Sequence, residues 1–304
     1  MFMPSEHNPR INTMIENLPI EIPSGSLSPE DLQDLQNAVV LLTSPSLTTK
    51  LTSIVGSPIE YLMDKMPKDA SDKIQKVIET SLHKVFDVSA NTMQNEKKEA
   101  SNKWHKFGAG LSGAIGGFFG FSAIMVELPV STTIMMRSIL DVARSEGFDI
   151  TDPKTKLECL SVFGFTANED KQDDSAESGY YASRIALNQI MSATAKELAV
   201  LTQGAAAKTI DTSIIGKALA QLISNIASRL SIPLTEKVAA QLVPGIGAAA
   251  GATINVMFTG FYQEMAKGHF TVKRLEQKYG EETVKCHFDQ IRQANLAAQS
   301  INKE

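Results

Sequence analysis

The stretch FGAGLSGAIGGFFGFSAIMV, residues 107–126, carries six glycines and no charge. A second stretch, residues 238–263, is also uncharged and contains the run VPGIGAAAGATINVMF. Each is long enough to cross the core of a bilayer, which takes about 20 apolar residues. Glycine costs about 1 kcal/mol relative to alanine inside a helix, so helices built from these stretches need close backbone packing. We therefore predict two central glycine-rich helices.

Small residues recur every four positions in both stretches, which gives a helix a flat strip that another backbone can approach closely. The glycines predicted to make this helix packing are Gly113, Gly117, Gly120, Gly247 and Gly251. Two interpretations stay open. The stretches form a membrane-inserting hairpin or a membrane-apposed helical pair, or they are buried helices at the centre of a soluble bundle.

Outside these stretches the chain consists of amphipathic helical patterns. Apolar residues recur at helical spacing, as in residues 74–86, and no run alternates apolar and polar residues with β-branched enrichment. The pattern predicts an all-α fold, a single multi-helix bundle over residues 28–304. Residues 1–27 are polar and punctuated by proline, and they are predicted to form a flexible N-terminal arm.

Local signals mark several helix ends. Ser28 is predicted to be an N-cap, and Gly147 and Gly280 follow helical patterns as helix-ending glycines. Pro129 and Pro233 are each predicted to lie in the first turn of a new helix, where the missing N–H of proline costs nothing.

Composition limits the function classes. The net charge of −5 argues against a nucleic-acid partner, which requires a basic face. Cys159 and Cys286 lie far apart without metal-ligand or redox spacing, which favours a reducing compartment. The N-terminus lacks the apolar core of a secretory signal. We therefore expect a cytoplasmic protein, peripheral to the inner membrane or inserted in it.

Motifs for common chemistry are weak or missing. Residues 108–113 match GxGxxG, but a charged helix tail precedes them where a dinucleotide fold has a strand. The five histidines stand singly, and the acidic residues 169–177 lack the spacing of a calcium loop. No cofactor and no metal is predicted.

One polar group stands out on the helix after Pro129. Thr133, Arg137 and Asp141 are spaced i, i+4, i+8 and therefore share a helix face. We predict that Arg137 pairs with Asp141 inside the protein and that Glu127, at the end of the first uncharged stretch, joins them.

Two more polar residues complete the predicted group. Asn255 is a lone carboxamide in the second uncharged stretch, and Arg184 lies on a helix that could face it. One interpretation is a satisfied polar network that fixes helix register. The other is a small-molecule or catalytic pocket built around Glu127, Arg137 and Asp141.

The run GFFGFSAIMVELPVSTTIMMRSILDVARSEGFDI, followed by VPGIGAAAGATINVMFTGFY and RLEQKYG, resembles the EcsC family of bacterial proteins. The resemblance covers roughly residues 70 to 290, and Asp149 departs from it by standing alone where an acidic pair is usual. The matching residues are Glu127, Leu128, Pro129, Thr132, Thr133, Arg137, Ile139, Asp141, Ala143, Gly147, Pro244, Gly247, Ala248, Gly251, Asn255, Tyr279 and Gly280. The resemblance implies an all-helical, membrane-linked accessory protein, associated with an ABC transporter or hydrolase-like.

Three functional hypotheses follow. The leading one is an interaction protein that docks on a membrane surface or a membrane protein complex through its glycine-rich helices. The second is a hydrolase-like enzyme with Glu127 or Asp141 as base beside Arg137. The third is a carrier of lipid or of a small apolar ligand, in which the glycine-rich helices line a tunnel.

Overall fold

The computed structural model describes residues 27–43, 47–56, 59–64, 66, 68–92, 120–165, 179–203, 216–241 and 247–301. These residues contain helices and no strand, which confirms the all-α prediction. The α-helices are α1 (Pro29–Leu42), α2 (Leu47–Val55), α3 (Ile59–Met63), α4 (Ala70–Thr92), α5 (Gly120–Ser145), α6 (Pro153–Ser161), α7 (Gly179–Gln203), α8 (Lys217–Gln241), α9 (Gly247–Tyr279) and α10 (Glu281–Ile301). A short 3₁₀ turn, Val162–Gly164, follows α6. The predicted arm, except its last residue, lies outside the described residues.

The helix ends that were predicted from local signals are confirmed. The Ser28 side chain caps α1 by accepting a hydrogen bond from the Asp31 backbone N–H at 3.2 Å. Gly147 and Gly280 have φ angles of 89° and 88°, a left-handed conformation that glycine adopts without steric cost.

The two prolines do not begin helices, so that prediction is wrong. Pro129 lies inside α5 and Pro233 lies inside α8. A proline removes one backbone hydrogen bond, yet a helix continues through it where tertiary packing holds both sides. Packing does so here, because Leu128 and Leu234, which adjoin the two prolines, are both fully buried.

Helices α8 and α9 organise the interior. Helix α8 packs against α2, α3, α4 and α7, whereas α9 packs against α1, α2, α5 and α10. Helix α4 also packs against α5. One cluster of buried apolar side chains includes residues from all ten helices named above, so the described residues share a single core.

Helices α5 and α9 lie side by side and run in the same direction. The Gln263 Nε2 of α9 donates a hydrogen bond to Ser138 Oγ of α5 at 3.1 Å. Farther along both helices, Arg274 Nε donates to Glu146 Oε2 at 3.0 Å. Residue numbers therefore rise together along the pair, with an offset of 125 at the first contact and 128 at the second.

This register places the starts of the two helices at one end of the pair. Helix α5 begins at Gly120 and α9 begins at Gly247, and these numbers differ by nearly the same offset. The part of the first uncharged stretch before Gly120, including Gly113 and Gly117, lies outside the described residues. The side-chain surroundings of Gly120 and Gly247 also lie outside them.

Close helix packing at a glycine occurs at a different position from the predicted one. At Gly251 no atom of the described residues lies within 4 Å of the place that a Cβ would take. At Gly268, a Cβ would lie 2.6 Å from Leu42 Cγ and 3.2 Å from the Ala38 backbone oxygen of α1. The glycine that permits a close approach therefore joins α9 to α1.

Within the described residues, no single helix has both the length and the apolar character needed to cross a membrane. Only α1 and α2, taken together across a 56° bend, have enough apolar length, and both contribute buried residues such as Leu35 and Leu51 to the core.

Candidate functional site

A buried ion pair connects α5 and α8. Lys237 Nζ lies 3.0 Å from Glu127 Oε1 and donates a hydrogen bond to it. The Lys237 side chain is 1% exposed and the Glu127 side chain is 9% exposed. The structure thus places one of the predicted residues, Glu127, against a lysine that the sequence analysis did not identify.

Two opposing effects act on the charge of the Lys237 side chain. Burial lowers the pKa of the Lys237 ammonium, while the nearby carboxylate of Glu127 acts in the opposite direction. The Lys237 Nζ also lies 5.5 Å from the centre of the Phe258 ring, within range of a cation–π interaction. A pair of this kind is costly to bury, so its presence calls for a role in register or in binding.

The ion pair borders a cavity of about 100 Å³ between α5 and α9. Helix α8 contributes Lys237 to the wall of the cavity. The lining residues are Glu127, Val130, Ser131, Ile134, Met135, Lys237, Asn255, Phe258 and Thr259. Four of these residues are apolar and five carry polar groups, so the cavity combines an apolar surface with polar groups that can orient a small molecule.

The cavity wall contains a buried hydrogen-bond acceptor without a partner. Asn255 Oδ1 is buried and has no hydrogen-bond partner among the described residues. The Ser131 hydroxyl donates to the Leu128 backbone oxygen at 3.1 Å, and the Thr259 hydroxyl donates to the Asn255 backbone oxygen at 3.1 Å. Because both hydroxyl hydrogens are used within their own helices, the two oxygens can only accept from a molecule in the cavity.

The predicted group is brought together only in part. Glu127 and Asn255 line one cavity, as expected. Asp141 is 67% exposed and pairs with Arg144 at 2.7 Å, so a buried Arg137–Asp141 pair is wrong. Arg137 is half-buried and is not one of the cavity-lining residues. Spacing of i, i+4, i+8 shows that residues share a face, but it does not show which end of that face is covered.

Thr133 has a local role rather than one in the cavity. Its hydroxyl donates to the Pro129 backbone oxygen at 2.7 Å. Serine and threonine commonly make this bond to the preceding turn of their own helix.

Arg184 does not line the cavity. It makes a bidentate ion pair with Glu276 of α9, at 2.6 Å and 2.9 Å, and lies over the rings of Tyr180 and Tyr181. The prediction that Arg184 faces the Asn255 group is therefore wrong. Its planar guanidinium matches a carboxylate and two aromatic faces at once, which explains why this position holds arginine.

From Arg184 a hydrogen-bonded network runs through the aromatic core. The Tyr180 hydroxyl lies 2.9 Å from His269 Nδ1, and His269 Nε2 lies 3.1 Å from Glu158 Oε2. Lys273 pairs with the other Glu158 oxygen at 3.0 Å. An ionised Glu158 only accepts, so Nε2 of His269 carries the hydrogen and Nδ1 accepts from Tyr180. The network joins α6, α7 and α9.

The pKa values in this network follow from its geometry. Burial alone would raise the pKa of Glu158, but the hydrogen bond from His269 and the charge of Lys273 lower it to about 2. Burial lowers the pKa of His269, which favours its neutral form. Every polar member has a partner, so the network fixes helix positions and leaves no group for a ligand.

Sequence reasoning missed Lys237 and His269 for different reasons. Lys237 directly precedes the second uncharged stretch, as Glu127 directly follows the first, and the two charges are opposite. Opposite charges at the borders of the two uncharged stretches could have predicted that Glu127 and Lys237 pair. His269 binds partners 89 and 111 residues away, and no local pattern points to them.

In the described part of the chain, no group of three His, Cys, Asp or Glu side chains is placed to hold a metal ion.

Comparison with known protein families finds a family model that matches most of this chain. The model of the EcsC protein family matches residues 34–275, which include Glu127, Lys237 and Asn255. The chain therefore belongs to the EcsC family. Neither a search of curated proteins nor a search of solved structures found a match.

Proposed function

We propose that this member of the EcsC family is an accessory protein that docks on the cytoplasmic face of the inner membrane. The docking surface is the end of the molecule at which α5 and α9 begin, here called the uncharged end. Its exposed residues near the start of α9 are Ala252, Thr253 and Val256. The proposed role is interaction rather than catalysis, and the bilayer itself is the partner.

The Glu127–Lys237 pair carries this proposal. Glu127 is the first charged residue after the stretch 107–126, and Lys237 is the last one before the stretch 238–263. The two side chains meet at 3.0 Å, so both uncharged stretches leave from one place in the fold. The described uncharged residues 120–126 and 247–256, from two remote parts of the sequence, thus lie at one end of the α5–α9 pair. Contact of uncharged groups with lipid requires no desolvation of ions.

The exposed surface of α9 supports a lipid contact at this end. Val256 is 73% exposed, the largest exposure of any large apolar side chain in the described residues. Ala252 and Thr253, one turn earlier, are exposed and uncharged. An apolar side chain held in water at an uncharged surface is typical of an interaction site.

A hydrolase site built from Glu127, Arg137 and Asp141 receives no support from this geometry. General base catalysis by such a trio needs the three groups around one pocket. Asp141 lies at the surface, paired with Arg144, and Glu127 is neutralised by Lys237.

The cytoplasmic side is proposed because both cysteines are free thiols. Cys159 is buried and Cys286 is half-buried, and neither is joined in a disulfide. An ABC transporter, the partner that the family resemblance implies, remains a second candidate for the same surface.

Vesicle flotation of the full chain tests the proposal. We expect the protein to float with phosphatidylcholine vesicles and to remain bound at high salt, because the uncharged end makes no ionic contacts. Val256→Asp should weaken binding about tenfold or more, since it replaces an apolar contact with a charge.

Leu296→Asp is the matched control. Leu296 is an apolar residue of α10 that is 55% exposed, and it lies outside the uncharged end. Its substitution should leave flotation unchanged. Absence of flotation, or equal loss of binding in both variants, would contradict the proposed docking surface.

A further inference from the structure

We propose that the cavity beside Glu127 and Lys237 is a binding site for a neutral ligand with a hydroxyl head and a compact apolar body. The site is independent of membrane docking, because its polar groups and walls come from the described interior of α5, α8 and α9.

The size of the cavity limits the body of the ligand. A cavity of about 150 Å³ with apolar walls accommodates benzene, which has six carbons. At about 100 Å³, this cavity takes about four or five non-hydrogen atoms. Val130, Ile134, Met135 and Phe258 supply the apolar wall against which a branched aliphatic group packs.

The unpaired acceptor in the wall specifies a hydrogen-bond donor. Asn255 Oδ1 is buried without a partner among the described residues, and such an atom costs free energy until a donor reaches it. The hydroxyl oxygens of Ser131 and Thr259 are further acceptors, since their hydrogens are used by backbone oxygens. A ligand hydroxyl supplies the missing hydrogen, and its own oxygen accepts from the Lys237 ammonium.

The charges in the wall specify a neutral ligand. Glu127 and Lys237 are paired with each other at 3.0 Å, so the site as a whole is neutral. An anionic ligand would compete with Glu127 for Lys237, and a cationic one would compete with Lys237 for Glu127. Either would leave a buried charge without a partner.

Two sources supply the hydroxyl head. One is a free short alcohol, whose whole body fits the cavity, and the other is a neutral lipid such as diacylglycerol, of which only the end that carries the single hydroxyl would enter. The chemistry that the cavity recognises is the same, so the experiment has one arm for each source.

The first arm uses isobutanol and the full chain labelled with ¹³C at the methionine methyl groups. Met135 lines the cavity, and its resonance is assigned with Met135→Leu. Isobutanol should shift the Met135 signal in a saturable manner. Isobutyl chloride, which has a similar body and no hydroxyl, should bind at least tenfold more weakly.

Asn255→Leu removes the carboxamide from the cavity wall, and isobutyl chloride, which needs no hydrogen bond, shows how much of any loss comes from the larger leucine side chain. The substitution should raise the dissociation constant for isobutanol at least tenfold. Asn225→Leu is the control, because Asn225 is an exposed residue of α8 that does not line the cavity. Its affinity should equal that of the parent protein.

The second arm measures flotation with phosphatidylcholine vesicles that contain or lack diacylglycerol. Tighter binding with diacylglycerol that is lost in Asn255→Leu identifies the lipid as the source, and equal binding identifies a free alcohol. The proposal is overturned if isobutanol gives no saturable Met135 shift, or if Asn255→Leu or isobutyl chloride binds equally well. The cavity then holds water only. The first arm contains no membrane, so its failure is distinct from a failure of membrane docking.

Discussion

The two halves of α9 are built for different tasks. In the second half, Gly268 brings the backbone against α1, and Arg274 joins Asp34 of α1 to Glu146, which directly follows α5. In the first half, Gly251 contacts no neighbouring element among the described residues, and Val256 is exposed. The second half is thus bonded to its neighbours through polar side chains, whereas the first half borders a cavity and exposes an apolar side chain.

Polar groups show the same division. In the second half, His269 has a partner on each ring nitrogen, and the Arg184–Glu276 pair is bidentate. In the first half, Asn255 Oδ1 has no partner among the described residues, and it borders a cavity with a buried ion pair. A polar network that fixes the positions of helices has a partner for each of its hydrogen-bonding groups, whereas a binding site presents an unpaired acceptor in a cavity.

The largest expected effect concerns the ion pair beside the first half. Glu127→Gln or Lys237→Met should each lower the free energy of unfolding by about 3–5 kcal/mol, because either leaves one buried charge without its partner. The double variant should recover most of the loss, because no charge remains buried. Urea denaturation of the four proteins measures this. Losses that simply add in the double variant would contradict a direct pairing.

Alanine substitution of one glycine in each half sharpens the comparison. Gly268→Ala should lower the free energy of unfolding by about 1–3 kcal/mol, because its Cβ would overlap Leu42, which is 4% exposed. Gly251→Ala should be neutral or should stabilise by up to about 1 kcal/mol, through helix propensity. The two variants are compared by thermal unfolding. A destabilised Gly251→Ala would show that the first half is packed as closely as the second.

Removal of one polar group beside each half of α9 should have different effects: Tyr180 of α7 contacts the second half, and Asn255 belongs to the first half. Tyr180→Phe should lower the free energy of unfolding by about 1–3 kcal/mol, because it leaves His269 Nδ1 buried without a donor. Asn255→Leu should be neutral or stabilising in the ligand-free protein, because it removes an unpaired acceptor. Chemical denaturation gives both values. A large loss in Asn255→Leu would indicate that the carboxamide is part of a satisfied network.

Acidification should lower the stability of the protein through His269, in the second half of α9. The pKa of His269 is lowered in the folded state, so the unfolded chain takes up the proton first as the pH falls below about 6.5. Stability should therefore fall by about 1 kcal/mol between pH 7 and pH 5.5. Glu158, with a pKa of about 2, adds its own loss only below about pH 4.5, where the unfolded carboxylate is protonated.

His269→Gln separates these contributions. The variant should lose the pH dependence between pH 7 and pH 5.5 and keep the loss below pH 4.5, as measured by urea denaturation across this range. An unchanged profile would show that another group titrates. The charged and titratable groups around His269 are Tyr180, Glu158, Arg184 and Lys273.

Local features of the fold were predictable, and tertiary ones were not. The Ser28 cap and the glycine at 147 follow from hydrogen bonds and dihedral angles within a few residues. Pro129 was misjudged because proline fits a first turn and also fits a packed helix interior. Close packing occurs at Gly268, which a single glycine in a charged region does not reveal. Of the predicted glycines only Gly251 has described surroundings, so close packing at the other four stays a prediction.

The candidate site shows the same limit. Glu127 and Asn255 stood out because each is a polar residue at or within an uncharged stretch, and both line the cavity. Asp141 was assigned to the group by its spacing, and Arg184 because its helix could face the group. Spacing fixes a helix face but does not identify the neighbour of that face, and Arg144 and Glu276 proved to be their partners.

Hydrogen–deuterium exchange of the full chain, with and without phosphatidylcholine vesicles, tests whether the first half of α9 is the functional half. We predict that vesicles slow exchange in residues 247–259 of α9 and in the first turns of α5, and leave residues 268–279 unchanged. Protection confined to residues 268–279, or no protection anywhere in α9, would contradict this division of the helix.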